Sequence, residues 1–297
     1  MGRNHARVYS LLGGAELVAI YDAELSRAEE VAGEFGGVAV GSLGELAEAV
    51  DAASVAVPTE AHLKVGGFLL GHGVHVLMEK PIAPSAGEAR ELVDCAKREG
   101  RILQVGHIER FNPVLRELER KLDRPRFIEA HRLSPFPNRS IDIGVVLDLM
   151  IHDLEVILHL VRAPIAAIDA VGVPVLTARE DIANARIRFD GGCVANVTAS
   201  RISPERMRKI RVFQEDCYLS LDYQEQSGQI HWRDGMEIRR AEVEVEKDEP
   251  LRRELEAFLE SVSAGAAPRV SGQQGAAALE LALEITRLIN EGREGGR

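Results

Sequence analysis

Through the first hundred residues, short apolar runs alternate with segments of helical period, and that alternation leaves few folds open. "AELVAIYD", "VAV" (38–40), "AASVAVPT", "VHVLMEKP" and "RILQVG" read as strands. Between them "LSRAEEVAGEF", "SLGELAEAV", "EAHLKVGGFLLGHG" and "SAGEARELVDCAKREG" space their apolar residues as helices do. Ser42 stands where a helix cap is wanted, and Pro58 where a strand must stop. Alternation of this kind builds a parallel sheet covered by helices on both faces.

After Gly106 the rhythm changes. "RFIEAHRL", "AAIDAVGV", "IANARIRF", "CVANVTAS", "KIRVFQ" and "CYLSLDY" follow one another, mostly with no helix between them. "DGG" at Asp190–Gly192 is a hairpin signal, so the second sheet is expected to be open and mostly antiparallel. One long apolar helix, about 145–161, comes early in this half, and two amphipathic helices close the chain. The fold class is α/β: a dinucleotide-type domain over 1–106 and a second domain over 107–297, with the C-terminal helix expected to pack back on the first. The 297 residues fit two domains of ~150 each.

A dinucleotide fold places a GxGxxG turn between its first strand and first helix, with an acid about 20 residues further on for the ribose. Gly2 precedes a helical run and Asp22 ends the next strand, which fits the last glycine of that turn and the ribose acid. The first strand and the first two glycines are then expected upstream of Met1, leaving two strands with open edges. The alternative is that Gly2 is an ordinary start-site residue and Asp22 only part of a turn. Asp22 repels a 2′-phosphate, so NAD is favoured over NADP. Arg27 reads as a surface residue of the following helix.

Two further places carry chemistry. "MEKP" sets Glu79, Lys80 and Pro81 at the carboxyl end of a strand, where open α/β sheets bind ligands. Lys80 there could hold a hydroxyl, or be a solvated surface lysine; Pro81 leaves room for a cis bond. In "GVVLDLMIHDLEVILHLV", Asp148 and His152 are four apart and share a helical face. They read as a solvent stripe, as an acid–base pair in which the carboxylate orients the imidazole, or as metal ligands. No third ligand is evident, so no metal is expected. Glu155 and His159 extend the stripe and are assigned to solvent.

Composition serves as exclusion. A net charge of −11 repels phosphate backbones and argues against a nucleic-acid partner. Cys95, Cys193 and Cys217 are far apart with no CxxC, which points to a reducing cytoplasm and no disulfide framework. No signal pattern opens the chain, and no run of ~20 uncharged apolar residues exists to enter a membrane.

"GRNHARVY", "VAVPTEAH", "MEKPIA", "VGHIERFNP", "GVVLDLMIHD" and "ALELALEI", in that order, resemble the Gfo/Idh/MocA oxidoreductases over essentially the whole chain. The missing first strand and opening glycines are the departure, and they put cofactor affinity in doubt. The resemblance implies a Rossmann domain, a second domain whose sheet makes a homodimer or homotetramer, and NAD-dependent hydride transfer at a sugar or cyclitol carbon. It implies that Lys80, Asp148 and His152 hold the catalytic positions: His152 as general base, Asp148 orienting it, Lys80 polarising the reacting oxygen. Pro58, Thr59 and His62 of "PTEAH" match the loop beside the cofactor, with Glu79 and Lys80 in the same set; Thr59 could equally be a helix cap. "GHIERFNP" and "HRLSPFPNRSIDIGVVLDLMIHD" are similar to a subgroup that oxidises the 3-hydroxyl of UDP-N-acetylglucosamine. A diphosphate needs cations, so Arg110, Arg132 and Arg139 are the expected substrate-binding residues. An inositol or unactivated-sugar dehydrogenase is the alternative. A non-catalytic NAD-sensing regulator is another, against which the three catalytic residues together argue.

Overall fold

The computed structural model describes residues 1–136 and 143–295. Two compact units form, Met1–Ile108 with Glu249–Ala277 and Glu109–Asp248 with Ala278–Arg297.

The first unit runs α1 (Gly2–Tyr9), β1 (Ala19–Ile20), α2 (Leu25–Phe35), β2 (Val38–Ala39), α3 (Leu43–Ala49), β3 (Ala52–Val55), α4 (His62–Gly71), β4 (His75–Glu79), α5 (Ala86–Arg98) and β5 (Leu103–Gly106). Ser42 and Ser85 cap α3 and α5, each accepting from the backbone N–H three residues on. All strand pairs are parallel, but they form two sheets: β1 with β2, and β3–β4–β5. Among the described residues, β1 and β3 each keep an unpaired edge. The central strand β4 is covered on both faces, and Val76, Leu77 and Met78 are inaccessible.

The second unit follows with α6 (Pro113–Lys121), β6 (Phe127–Leu133), α7 (Ile151–Val161), β7 (Ile165–Val173), β8 (Ile182–Phe189), β9 (Val194–Ser200), β10 (Met207–Phe213), β11 (Cys217–Asp222), β12 (Ser227–Asp234) and β13 (Glu237–Glu242). These strands make one eight-stranded sheet, order β13-β12-β11-β10-β6-β9-β8-β7, antiparallel except for the β6–β9 pair. Gly191 and Gly192, at φ +86° and +87°, turn the β8–β9 hairpin in a conformation that side chains resist. One face of the sheet is apolar: β8 and β9 alternate strictly, and their inward residues meet α6 and α7 in a single core. The other face is open.

Two helices end the chain, α8 (Pro250–Ala264) and α9 (Gly272–Gly295). Leu251, Leu255 and Phe258 of α8 fill a core with Val8, Leu12 and Leu77. Each such side chain contributes roughly 1.5–3 kcal/mol on burial. Leu281, Ala282, Ile285 and Ile289 of α9 belong to the core of the second unit. The division therefore differs from a cut at 106/107. α8 and the first turn of α9 join the first unit because their apolar stripe completes it. Among the described residues no helix is long and apolar enough to cross a membrane.

Candidate active site

In the first unit the sequence-chosen residues collect at the carboxyl ends of the strands. Asp22 lies two residues past β1, Pro58 and Thr59 just past β3, and Glu79 ends β4. Gly2 opens α1, where backbone N–H groups favour an anion. A Cβ at Gly2 would lie in ordinary contact with Ala56 Cβ at 3.9 Å, which puts the start of α1 beside the chain after β3. Asp22 is half-buried and accepts from the Glu24 N–H at 2.9 Å through one oxygen, leaving the other oxygen free to take a ribose hydroxyl. This set fits a dinucleotide. Arg27 is a surface residue of α2, paired with Glu24. Thr59 is not a cap: the capping position falls on Pro58, with no side-chain cap bond.

Lys80 and Pro81 are joined by a cis peptide bond. The turn they make is braced from two sides. Glu79 Oε1 accepts from His5 Nε2 at 2.9 Å, and its Oε2 accepts from the Lys80 N–H at 3.3 Å. On the other side His62, buried at the start of α4, puts Nδ1 3.0 Å from the Pro81 carbonyl and Nε2 3.1 Å from the Val57 carbonyl. His62 thus ties the loop after β3 to the Lys80 turn. Its ring nitrogens are engaged with backbone carbonyls.

In the second unit, a π turn over Val146–Met150 runs into α7. Such wide turns recur at functional sites. Asp148 sits in the π turn and His152 in the first turn of α7; both are half-buried while Met150, Ile151 and Asp153 between and beside them are buried. The helix start is held tightly. The Val145 N–H donates to the Glu180 carbonyl at 2.9 Å, and a Cβ at Gly144 would collide with the Glu180 carboxylate at 1.8 Å. Buried Arg201 donates to the Ile143 carbonyl, to Asp181 and to Thr177. Burial alone would raise the Asp181 carboxyl; the Thr177, Leu176 and Val175 N–H groups and Arg201 outweigh it and hold it well below its usual range.

The substrate arginines need correction. Arg132 is buried and held by two carboxylates: Nε and Nη2 donate to Asp153 at 2.8 and 3.0 Å, and Nη1 to Glu109 at 2.9 Å. Burial opposes its charge, but Asp153 and then Glu109 outweigh that and keep it firmly protonated. Arg110 is buried against Glu155 at 2.6 Å. Neither presents an open guanidinium to a diphosphate. Glu155 is corrected with them: it is 2% exposed, an internal counter-ion rather than part of a solvent stripe. His159 bonds Glu119 at 2.7 Å. Arg139 lies outside the described residues. Sequence reasoning missed Glu109 and Asp153; the acid directly before Arg110 in "HIERF" was the one local signal.

Residues 1–107 match the family model described as "Oxidoreductase family, NAD-binding Rossmann fold", and residues 117–220 match "GFO/IDH/MocA C-terminal domain". The chain is 36% identical to the UDP-N-acetylglucosamine 3-dehydrogenase of Acidithiobacillus ferrooxidans over 96% of its own length and 93% of that protein's. A solved structure of that enzyme superposes with a TM-score of 0.93, covering 97% of this chain and 94% of the other. The scyllo-inositol 2-dehydrogenase (NAD(+)) of Bacillus subtilis is 29% identical, over 69% of this chain and 65% of that one. A levoglucosan dehydrogenase solved with NADH and levoglucosan shares the fold at TM-score 0.89 and 16% identity, covering 98% of this chain and 95% of that one.

Proposed function

The chain belongs to the Gfo/Idh/MocA oxidoreductase family, and from that premise we propose that it oxidises the 3-hydroxyl of UDP-N-acetylglucosamine, with NAD as cofactor. The observation that carries the substrate is the 36% identity, sustained over 96% of the chain, to an enzyme of that name. The inositol dehydrogenases match at lower identity and over shorter stretches.

NAD, when bound, supplies the hydride acceptor. The chain's residues do the rest. Gly2 and Asp22 hold the dinucleotide, with Pro58 and Thr59 beside it. His152 takes the hydroxyl proton as the carbon becomes a carbonyl, and Asp148 orients the imidazole. Lys80 polarises the reacting oxygen. Arg139 keeps its place in the proposal as a cation for the diphosphate. The three cysteines are free thiols, which supports a reducing, cytoplasmic setting.

Reduction of NAD is expected with UDP-N-acetylglucosamine and to fall by at least ~10²-fold in kcat/KM with N-acetylglucosamine, because the remote nucleotide's binding energy is lost. Equal rates with both sugars, or faster turnover of an inositol, would assign the chain to the inositol branch.

The open sheet face supports a homodimer or homotetramer. Val171 and Val173 of β7 stand on it 59% and 48% exposed, opposite Asn184 and Ile182 of β8. Light scattering is expected to give twice or four times the 32.5 kDa chain mass. Replacing both valines with Lys should shift that mass down; a monomer in the unaltered chain would contradict the assignment.

A further inference from the structure

Behind the Lys80 turn lies a buried polar cluster that the reaction above leaves unused. His5 of α1, Glu79 of β4 and Glu254 of α8 each bring a ligand-type atom within 4.8 Å of the others. His5 and Glu254 are 2% and 1% exposed. Among the described residues, His5 Nδ1, Glu254 Oε1 and the neighbouring Gln104 Oε1 are buried without hydrogen-bond partners. The groups facing Glu254 come from α1, β4 and β5. From α1 these are His5 and Tyr9, whose hydroxyl bonds Ser54 of β3 at 2.8 Å. β4 contributes Glu79, and β5 contributes Gln104, which donates to the Glu254 carbonyl at 3.2 Å.

Two carboxylates this close, out of water, cannot both stay ionised cheaply. Burial first, and then the charge of Glu79, push the Glu254 carboxyl well above the usual range. Glu79 is the less buried of the two, and both its oxygens accept hydrogen bonds.

We propose that Glu254 is a positioning residue for the Lys80 turn: as a neutral carboxylic acid behind Glu79, it leaves one carboxylate to hold His5 and the Lys80 amide together. Ionising Glu254 puts a like charge behind Glu79 and pushes that carboxylate off the turn. The proposal rests on Lys80 acting in hydride transfer, and its first test does not.

That test is hydrogen exchange at the amides of residues 79–83, comparing the unaltered full chain with Glu254→Gln and Glu254→Ala. Gln keeps the size and neutrality of the acid; Ala removes it. Exchange at the Lys80 amide is expected to quicken at least ~10-fold in Glu254→Ala and to stay near the parent value in Glu254→Gln. The pH dependence of melting gives the sign. The folded state holds a proton that the unfolded chain releases above about pH 4.3. Parent stability therefore falls as pH rises from there towards the raised folded value, and Glu254→Gln gains on the parent over that window. In turnover, Glu254→Ala is expected to lose ~10–100-fold in kcat with NADH affinity held, and Glu254→Gln to restore it. Unchanged exchange in Glu254→Ala, or Glu254→Gln behaving like Glu254→Ala, overturns the proposal. So does a stoichiometric metal ion in the purified protein that Glu254→Gln releases, since a cation would then do the neutralising. If exchange and melting behave as stated but the parent oxidises no sugar, the positioning stands and the role given to Lys80 falls.

Discussion

His152→Ala is expected to lower sugar turnover by ~10²-fold or more while leaving NADH binding within about threefold of the parent value. The size follows from the chemistry. Oxidising an alcohol strips a hydride and a proton from the same CH–OH group, and without a base the proton must go to water. An imidazole is suited to receive it near neutrality. The selectivity follows from the architecture. His152 is in the second unit, whereas Gly2, Asp22 and Thr59 are in the first, so removing the ring leaves the dinucleotide set intact. Stopped-flow turnover beside NADH titration reads the two quantities separately. The acid limb of the pH–rate profile should vanish in the variant, and Asp148→Asn should fall between the two. Unchanged turnover in His152→Ala would remove it from the mechanism.

Arg132→Ala is expected to destabilise the second unit by about 3–5 kcal/mol, the cost of stranding buried charges. Asp153 and Glu109 are 1% and 4% exposed, and both face the same guanidinium. Removing it strips Asp153 of its bidentate partner and leaves Glu109 the more distant Arg208, at 3.9 Å. Arg132→Lys should recover only part of the loss, because an ammonium cannot span both carboxylates in the plane of a fork. Arg132→Met combined with Asp153→Leu and Glu109→Gln should recover more than either single change. Urea unfolding followed by the Trp232 signal of β12 reads all of these. A loss below ~1 kcal/mol for Arg132→Ala would mean the network carries little of the unit's stability.

The Arg132 network marks where sequence reading stopped. Apolar periodicity located β3, β4, β5 and the helices between them, since their burial follows from the pattern itself. Asp190–Gly192 was legible as a hairpin because positive φ demands glycine there. The hairpin β12–β13 was missed although Asp234 and Gly235 mark its turn; β13 is exposed along its whole length, so it has no apolar alternation to detect. The π turn at Asp148 is a backbone detail that residue spacing does not encode. An arginine in "HRL" or "ERF" looks the same whether it meets solvent or an internal carboxylate, and only the fold brings Glu109 and Asp153 to Arg132. The same holds for Glu254, an ordinary acid in an amphipathic helix until α8 is laid against Glu79.

The first unit is built from two stretches separated by the second unit, and this has a consequence on the ribosome. Val8, Leu12 and Leu77 are made early, but Leu255 and Phe258, which cover them, arrive after the intervening unit. At roughly 5–20 residues per second that delay is on the order of ten to thirty seconds. The second unit waits as well, since Leu281, Ile285 and Ile289 of its core come last. A nascent chain stalled before residue 250 therefore leaves both cores uncovered at once. Synthesis of residues 250–289 acts as a single completion step for both units, before which each is a client for chaperones and a target for proteases.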